Sequence, residues 1–304
     1  MPSAKVCAVI VTFNGIKWIE KCIDSLEKST VKVDIFVIDN GSTDGTFQYL
    51  QKRDCCKFLH QAEENLGFGK ANNIAIKQGY NQDYEFFLLL NQDAWIEENV
   101  IEDLILKMHT ETGYGISSPL HFNGGGTALD TLFESYLSRM DSYQKDLNAQ
   151  SVKDQLYTSR FINAACWLLT RNTLKEVGLF HPLFDHYGED DNYLDRLHFM
   201  NLKLGLAPNI KVYHDRENSG VNSLKNDPDR LYKRTIMRYL LDPSRKEHWI
   251  QSLQQSSKIS KKISKQFSGF SKFRFRIRCF FKYYEISSTV KNFERNRKSE
   301  LHVH

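Results

Sequence analysis

Residues 37–45 read VIDNGSTDG, which ends a hydrophobic run with a carboxylate, an amide and a glycine. Residues 35–38 have the length and β-branching of a buried strand. Residues 41–45 then supply a turn and groups that can cap a helix starting at Thr46. Polar side chains at the carboxyl end of a parallel strand face the crevice where open α/β sheets bind ligands. The stretch predicts a strand–turn–helix unit whose Asp39 is either part of a ligand site or only part of a capped loop.

Two more stretches repeat this pattern. Residues 6–11 are a continuous apolar run that stops at Thr12-Phe13-Asn14-Gly15, and an amphipathic helix follows. Residues 84–90 are a third predicted strand, which runs into Asn91-Gln92-Asp93. Repeated β-turn-α units with polar strand ends predict an α/β fold with a doubly wound, mostly parallel sheet.

The polar residues at the end of the third predicted strand are spaced so that two of them could bind a cation. Because side chains alternate along a strand, Asn91 and Asp93 should share one face. Two adjacent oxygen ligands can hold a ribose hydroxyl and a hard divalent cation. The alternative is that Asp93 only caps the next predicted helix.

Taken together, these residues resemble the GT-A fold of family 2 glycosyltransferases, closest to the bacterial rhamnosyltransferase-like branch. The resemblance implies a Rossmann-like nucleotide-binding half followed by an acceptor half. It covers roughly residues 4–220, with motifs in the family's order: VTFN at 11–14, VIDNGSTD at 37–44, NLGFGKANN at 65–73, LLNQD at 89–93, FINAACWLL at 161–169, FDHYGEDD at 184–191 and VYH at 212–214.

The resemblance implies a donor site for a uridine or thymidine diphosphate sugar. Asp39 would read the base, and Asp93 would bind Mg²⁺ or Mn²⁺ on the diphosphate. Many relatives have Asp where this chain has Asn91, and a neutral amide attracts such a cation less. The further donor-side residues would be Thr12, Asn14, Asn40, Asn65, Gly67, Asn73 and Asn91.

The resemblance also assigns the chemistry of an inverting transfer. Such a reaction needs one base to deprotonate the acceptor hydroxyl. Asp190 would be this base and Glu189 would orient it or the acceptor, whereas Asp191 and Trp167 would lie on the acceptor side. The alternative is that residues 189–191 are only the acidic first turn of a helix.

His214 ends another apolar run and has two interpretations. A lone histidine is usually structural. The resemblance instead implies that His214 completes the metal site with Asp93, and neutral imidazole is a reasonable ligand for Mn²⁺ beside oxygens.

The net charge of +4 hides an uneven distribution. Residues 258–298 contain thirteen Lys and Arg against two acids, a local net charge of +11, so the rest of the chain carries −7. We therefore divide the chain into a GT-A domain, residues 1–240, and a basic, aromatic and helical extension, residues 241–304. This extension could lie on an anionic membrane, pack on the domain or bind nucleic acid; we expect the membrane and no nucleic acid partner.

Several other classes are disfavoured. No apolar run reaches the roughly 18 residues of a membrane span, and the first predicted strand begins too early for a signal peptide. Gly67-Phe68-Gly69 is not a dinucleotide-binding fingerprint, because it lacks the third glycine and does not directly follow the first strand. A nucleotidyltransferase would need a glycine-rich basic loop after the first strand, which Thr12-Phe13-Asn14-Gly15 is not.

The sequence thus predicts a cytoplasmic enzyme, peripheral at the inner face of the cell membrane. It would transfer a hexosyl or rhamnosyl group to a saccharide acceptor that is lipid-linked or part of a surface polysaccharide. The alternative is a non-catalytic sugar-nucleotide or glycan-binding protein with a GT-A fold.

Overall fold

The computed structural model describes residues 4–185, 187–216, 227–245 and 249–303. The strands are β1 (Val6–Thr12), β2 (Val33–Asp39), β3 (Phe58–Gln61), β4 (Phe86–Leu90), β5 (Ala94–Ile96), β6 (Tyr114–Asn123), β7 (Tyr157–Ser159), β8 (Cys166–Thr170) and β9 (Lys203–His214). The helices are α1 (Ile19–Glu27), α2 (Thr46–Arg53), α3 (Phe68–Tyr80), α4 (Val100–Thr110), α5 (Thr131–Leu137), α6 (Asp141–Asn148), α7 (Arg171–Val177), α8 (Glu189–Phe199), α9 (Pro228–Leu240), α10 (Trp249–Ile263) and α11 (Gly269–Asn296), with 3₁₀ turns at Ser264–Gln266 and Lys298–Leu301.

All nine strands belong to one sheet, in the order β3-β2-β1-β4-β8-β6-β9-β5, with β7 also paired to β9. The first four strands pair in parallel, which confirms the predicted nucleotide-binding half. The other half is mixed: β8 runs antiparallel to β4 and β6, and β9 runs parallel to β6 but antiparallel to β5 and β7. The fold is therefore GT-A, with parallel pairing concentrated in its first half.

The sheet register brings the polar strand ends together. Thr12 lies opposite Asp39 at the end of the β1–β2 pair, and Asp39 lies opposite Gln61 in the β2–β3 pair. On the other side, Ala94 at the start of β5 lies opposite His214 at the end of β9. Strand pairing alone thus places Asp93 next to His214.

Helices cover both faces of the sheet, and alternate side chains of β1 enter separate cores. Cys7 and Val9 join one apolar cluster, whereas Val6, Ala8 and Ile10 join the other. This explains why the strand sequence is apolar throughout rather than alternating.

The carboxyl-terminal region is helical, as predicted. Helices α9, α10 and α11 share an apolar cluster that includes Tyr232, Ile236 and Phe275. Leu301 accepts a hydrogen bond from the backbone N–H of Leu179 at 2.8 Å, and Val303 belongs to a core cluster of the sheet. Residues 301 and 303, near the end of the described chain, are therefore packed on the domain. The predicted division at residue 240 remains a prediction, and α9, which precedes it, packs with the helices that follow it.

Among the described residues, no helix is long and apolar enough to cross a membrane.

Candidate active site

The predicted base-binding residue lies at the joined ends of β1, β2 and β3. Oδ2 of Asp39 accepts a hydrogen bond from the Thr12 hydroxyl at 2.9 Å. Oδ1 accepts from the Ser42 N–H at 2.9 Å and from the Gln61 side chain at 3.3 Å. Thr12 and Asp39 are both completely buried. Asp39 therefore orders the loop after β2, and a nucleotide base would reach it only if Gln61 or that loop moved.

Two of the asparagines that were predicted on the donor side tie loops together. Asn14 has a left-handed backbone, with φ of 49°, and its Oδ1 accepts from the Thr43 N–H at 2.9 Å. Oδ1 of Asn40 accepts from the Leu66 N–H at 3.1 Å, which joins the loop after β2 to the start of α3. These amides hold together the loops that follow β1 and β2 and the start of α3.

The entrance to α3 is fixed by Asn65 and Gly67. Oδ1 of Asn65 accepts from the Gly67 N–H at 2.9 Å. Gly67 has φ of 80°, and a Cβ there would lie 2.2 Å from the carbonyl oxygen of Asp185. Glycine is needed for both reasons. Asn73 bonds to both backbone groups of Phe180, at 2.8 and 2.9 Å, so the structure uses its amide to hold the loop before α8.

Asp93 and His214 form a candidate metal centre. Oδ1 of Asp93 lies 3.3 Å from Nε2 of His214, and the Asn91 amide nitrogen lies 3.5 Å from the same Nε2. Two ligands of one ion at about 2.1 Å and near a right angle are separated by about 3 Å, so this pair fits a divalent cation. Within the described residues, no group of three or more His, Cys, Asp or Glu side chains is arranged to hold a metal ion, here or elsewhere, so the chain itself supplies only this pair. Diphosphate and water oxygens would have to complete the coordination.

Asp130 lies behind His214 and was not predicted. Its Oδ1 accepts from the N–H groups of Leu132 and Phe133, both at 2.9 Å, and so caps α5. Its Oδ2 lies 3.6 Å from Nδ1 of His214 and 3.2 Å from Nε of Arg216. Nδ1 of His214 has no hydrogen-bond partner within the described residues, so a proton on Nδ1 would face the Asp130 carboxylate and leave the Nε2 lone pair on the Asp93 side.

The predicted base lies in the first turn of α8. Tyr187 and Gly188 both have positive φ, of 64° and 104°, and make the sharp turn into this helix. Oδ1 of Asp190 accepts from the Asp191 N–H at 2.8 Å. Burial, reinforced by the charges of Asp191 and Glu189, raises the pKa of Asp190 from 3.8 to about 7. A carboxylate with that pKa is suited to accept a proton near neutral pH.

Tyr136 connects the two sides of the site. Burial raises its pKa to about 12; Arg216 lowers it, whereas the charges of Asp190 and Asp130 raise it. The tyrosine therefore lies within electrostatic range of both the candidate base and the carboxylate behind His214. Sequence reasoning missed Tyr136 because residues 110–160 lack a clear pattern.

The two predicted acceptor residues have structural surroundings. Asp191 forms ion pairs with Arg234 and Arg238 of α9, each at 2.5 Å. Trp167 is completely buried, with its ring 6.4 Å from that of Phe180 and 6.0 Å from that of Tyr193. This placement does not favour direct acceptor contact by either side chain. Of the FDHYGEDD motif, His186 lies outside the described residues.

Gln92, which lies between Asn91 and Asp93 in the chain, bridges two strand ends. Its side chain accepts from the Phe13 N–H at 2.9 Å and donates to the Phe13 carbonyl at 3.1 Å. A Cβ at Gly15 would lie 2.1 Å from the Gln92 oxygen, so the small residue after Asn14 makes room for this bridge. Long-range pairing of this kind has no local sequence signal.

Comparisons with known proteins agree with this fold. Residues 7–178, more than half of the chain, match the family described as Glycosyl transferase family 2. The chain therefore belongs to glycosyl transferase family 2. It is 22% identical over 244 residues to the glycosyltransferase GlyA of Streptococcus pneumoniae, covering 78% of this chain and 33% of that protein.

Solved structures support the fold. TarS 1-349 from S. aureus in complex with UDP-GlcNAc aligns with a TM-score of 0.61 at 15% identity, covering 95% of this chain and 92% of that one. A mannosyltransferase from Pyrobaculum calidifontis in complex with GDP-Man and Mn²⁺ aligns with a TM-score of 0.57 at 13% identity, covering 96% and 88%. The chain spans about a third of the length of GlyA, and 49% of another TarS crystal structure.

Proposed function

We propose that this chain is an inverting glycosyltransferase that moves a hexosyl or rhamnosyl group from a UDP- or dTDP-sugar to a saccharide acceptor. The observation that carries the proposal is the pairing of Asp93 with His214 at 3.3 Å, at the edge of the sheet where the donor-side loops meet. The same chain supplies a half-buried carboxylate, Asp190, whose pKa is raised to about 7. A metal-binding pair and a separate base are what this reaction requires.

In the proposed reaction, Asp190 takes the proton from the attacking acceptor hydroxyl. The acceptor oxygen forms a bond to the anomeric carbon while the bond from that carbon to the diphosphate oxygen breaks. The anomeric configuration inverts because attack and departure occur on opposite faces. A bound Mg²⁺ or Mn²⁺ would supply charge stabilisation for the departing diphosphate. Asp93 and His214 would hold that ion. Glu189, beside Asp190, would orient the Asp190 carboxylate or the acceptor.

The donor-side loops would hold the nucleotide. Asn14, Asn40, Asn65 and Gly67 hold these loops together through backbone hydrogen bonds, and Asp39 with Thr12 fixes the floor beneath them. We assign the base to this floor and the ribose to the neighbourhood of Asn91. Asn73 would act indirectly, by holding the loop at Phe180.

The proposed acceptor is a lipid-linked saccharide or a growing surface polysaccharide. We accordingly propose a peripheral enzyme at the cytoplasmic face of the cell membrane. The support is the charge distribution, because residues 258–298 carry +11 while the rest of the chain carries −7. Only the carboxyl-terminal segment would be attracted to an anionic surface.

A panel of nucleotide sugars tests the donor assignment. With Mn²⁺ present, a uridine or thymidine diphosphate sugar at 100 times its dissociation constant should stabilise the folded protein by about 2.7 kcal/mol. Guanosine and cytidine diphosphate sugars at that same concentration serve as matched controls. Equal stabilisation by all of them, or by none, would contradict the donor assignment.

Asn91 supports the non-catalytic alternative, because its neutral amide lies at a position where many relatives have a carboxylate. A sugar-nucleotide-binding protein would show the same stabilisation without turnover. Release of the nucleoside diphosphate therefore separates the two functions.

A further inference from the structure

Helix α11 carries apolar side chains on two opposite faces. Its buried face packs on the protein and consists of Phe275, Cys279, Tyr283, Ile286, Val290 and Phe293. The remaining apolar residues also recur at intervals of three and four, which places them on one face opposite the buried one. We call this second face the outer stripe; its residues are Phe270, Phe273, Ile277, Phe280, Phe281 and Tyr284.

The outer stripe is a continuous exposed surface. Its side chains are 40% to 73% exposed, with Phe270 and Phe281 the most accessible. The rings lie beside one another: centroids are 6.4 Å apart for Phe270 and Phe273, and 5.1 Å apart for Phe280 and Tyr284. At 1.5 Å per residue the stripe is about 20 Å long. Contiguous exposed apolar surface of this size marks an interaction site.

The segment that carries the outer stripe is strongly cationic. Arg278, Lys282, Arg297 and Lys298 each pair with an acid. In contrast, nine cations of the segment have no ion pair within the described residues: Lys258, Lys261, Lys262, Lys265, Lys272, Arg274, Arg276, Lys291 and Arg295. The Arg274 guanidinium lies 5.9 Å from the Phe270 ring centroid, directly beside the stripe.

We propose that α11 lies flat on an anionic lipid surface, with the outer stripe inserted among the headgroups and the unpaired cations facing the lipid phosphates. An amphipathic helix binds such a surface through apolar burial and charge together, and the segment offers both. A second copy of this chain is a poor occupant, because two such faces would bring like charges together. The proposal deepens the proposed function by naming the surface that meets the membrane, and it rests on that function only for the identity of the acceptor.

Vesicle sedimentation with the full chain tests the proposal. The probes are phosphatidylglycerol mixed with phosphatidylcholine, and phosphatidylcholine alone. A stripe variant carries Phe270→Ser, Phe273→Ser and Phe281→Ser; its control is Phe199→Ser, since Phe199 is a 49% exposed ring on α8. A charge variant carries Arg274→Gln, Arg276→Gln and Arg295→Gln; its control removes the same charge at the exposed residues Lys28, Lys52 and Lys57.

The wild type should bind the anionic vesicles and bind phosphatidylcholine alone much more weakly. The stripe variant should lose at least tenfold in partitioning at every salt concentration, because ring burial is not screened. The charge variant should lose about 100-fold at low salt and little at high salt. Both control proteins should bind like the wild type.

Three results would overturn the proposal: a wild type that ignores anionic vesicles at low salt, a stripe variant that binds like the wild type, or tighter binding to single-stranded nucleic acid than to vesicles. Concentration-dependent dimerisation that the stripe variant abolishes, without vesicle binding, would instead assign the face to a second copy. Donor hydrolysis is measured on the same samples. A failure of the membrane proposal can then be distinguished from a failure of the proposed function.

Discussion

Nε2 of His214 lies 3.3 Å from Oδ1 of Asp93, and the β5–β9 pairing holds the two residues in that position. If they share a metal ion, His214→Ala and Asp93→Ala should each weaken Mn²⁺ binding, with UDP present, by at least tenfold. Isothermal titration or the Mn²⁺ electron paramagnetic resonance signal measures this without any turnover. His109→Ala, which removes an exposed histidine from α4, is the control. Unchanged Mn²⁺ affinity in both site variants would remove this pair from the metal site.

Asp130 offers a sharper test of how His214 is oriented. Asn caps a helix about as well as Asp, so Asp130→Asn should preserve the start of α5, and the melting temperature should fall only through the lost ion pair with Arg216. It should lower Mn²⁺ affinity by about 10-fold or more, because outer carboxylates orient ligating histidines. Asp130→Ala should lose the helix cap as well as the Mn²⁺ affinity. Full Mn²⁺ affinity in the Asn variant would mean that Asp130 serves only as a cap.

Asp190 should show its role in the pH dependence of transfer. Because its pKa is raised to about 7, the rate should rise with pH up to about 7 and then level off, as the carboxylate form fills. Asp190→Asn should reduce transfer by about 10²–10⁴-fold while donor binding stays nearly unchanged. Near wild-type transfer by this variant would place the base elsewhere, with Asp191 the next candidate.

The same carboxyl should also affect stability. A raised pKa means that the folded state holds the proton more tightly than the unfolded state, so stability falls as pH rises from about 4 to about 7. Asp190→Asn should therefore melt higher than the wild type at pH values above 7, and the gain should disappear as the pH approaches 4. A variant that melts lower at high pH would contradict the raised pKa.

Asp39→Ala should weaken UDP or dTDP binding by about 1.5–3 kcal/mol, the range for a hydrogen bond with a charged group. Because Asp39 also orders Ser42 and Gln61, the variant should be less stable as well. Gln61→Ala is the control, since it removes one of those hydrogen bonds and keeps the carboxylate. Wild-type affinity for both nucleotides in Asp39→Ala would remove Asp39 from the base site.

The parts of the structure that could be predicted are those with a local signal. Asp39 at the end of β2, Thr12 at the end of β1 and His214 at the end of β9 follow from apolar runs that stop at polar residues. The proximity of Asp93 to His214 came only from the resemblance, because it depends on antiparallel pairing between distant strands. The Gln92 bridge to Phe13 and the contact of Asp130 with His214 depend on tertiary packing and were not predicted.

The carboxyl-terminal segment shows the same limit. Its charge and helicity could be predicted, but not which aromatic rings face inward. Phe275 and Tyr283 are buried, whereas Phe273 and Phe281 are exposed. The sequence has aromatic residues on both faces of one helix. Periodicity alone therefore could not show which face packs on the protein and which face is exposed.

The central claim is that this site turns over a nucleotide sugar. The most direct measurement is release of UDP or dTDP from the donor that stabilises the protein most, with Mn²⁺, for the wild type, Asp190→Asn and Asp93→Ala. We expect the wild type to release the nucleotide slowly to water and Asp190→Asn to release it more slowly by about 10²-fold or more, despite intact donor binding. Asp93→Ala should lose both the release and the Mn²⁺ affinity. Donor binding with no release by the wild type, or release that both variants retain in full, would contradict it.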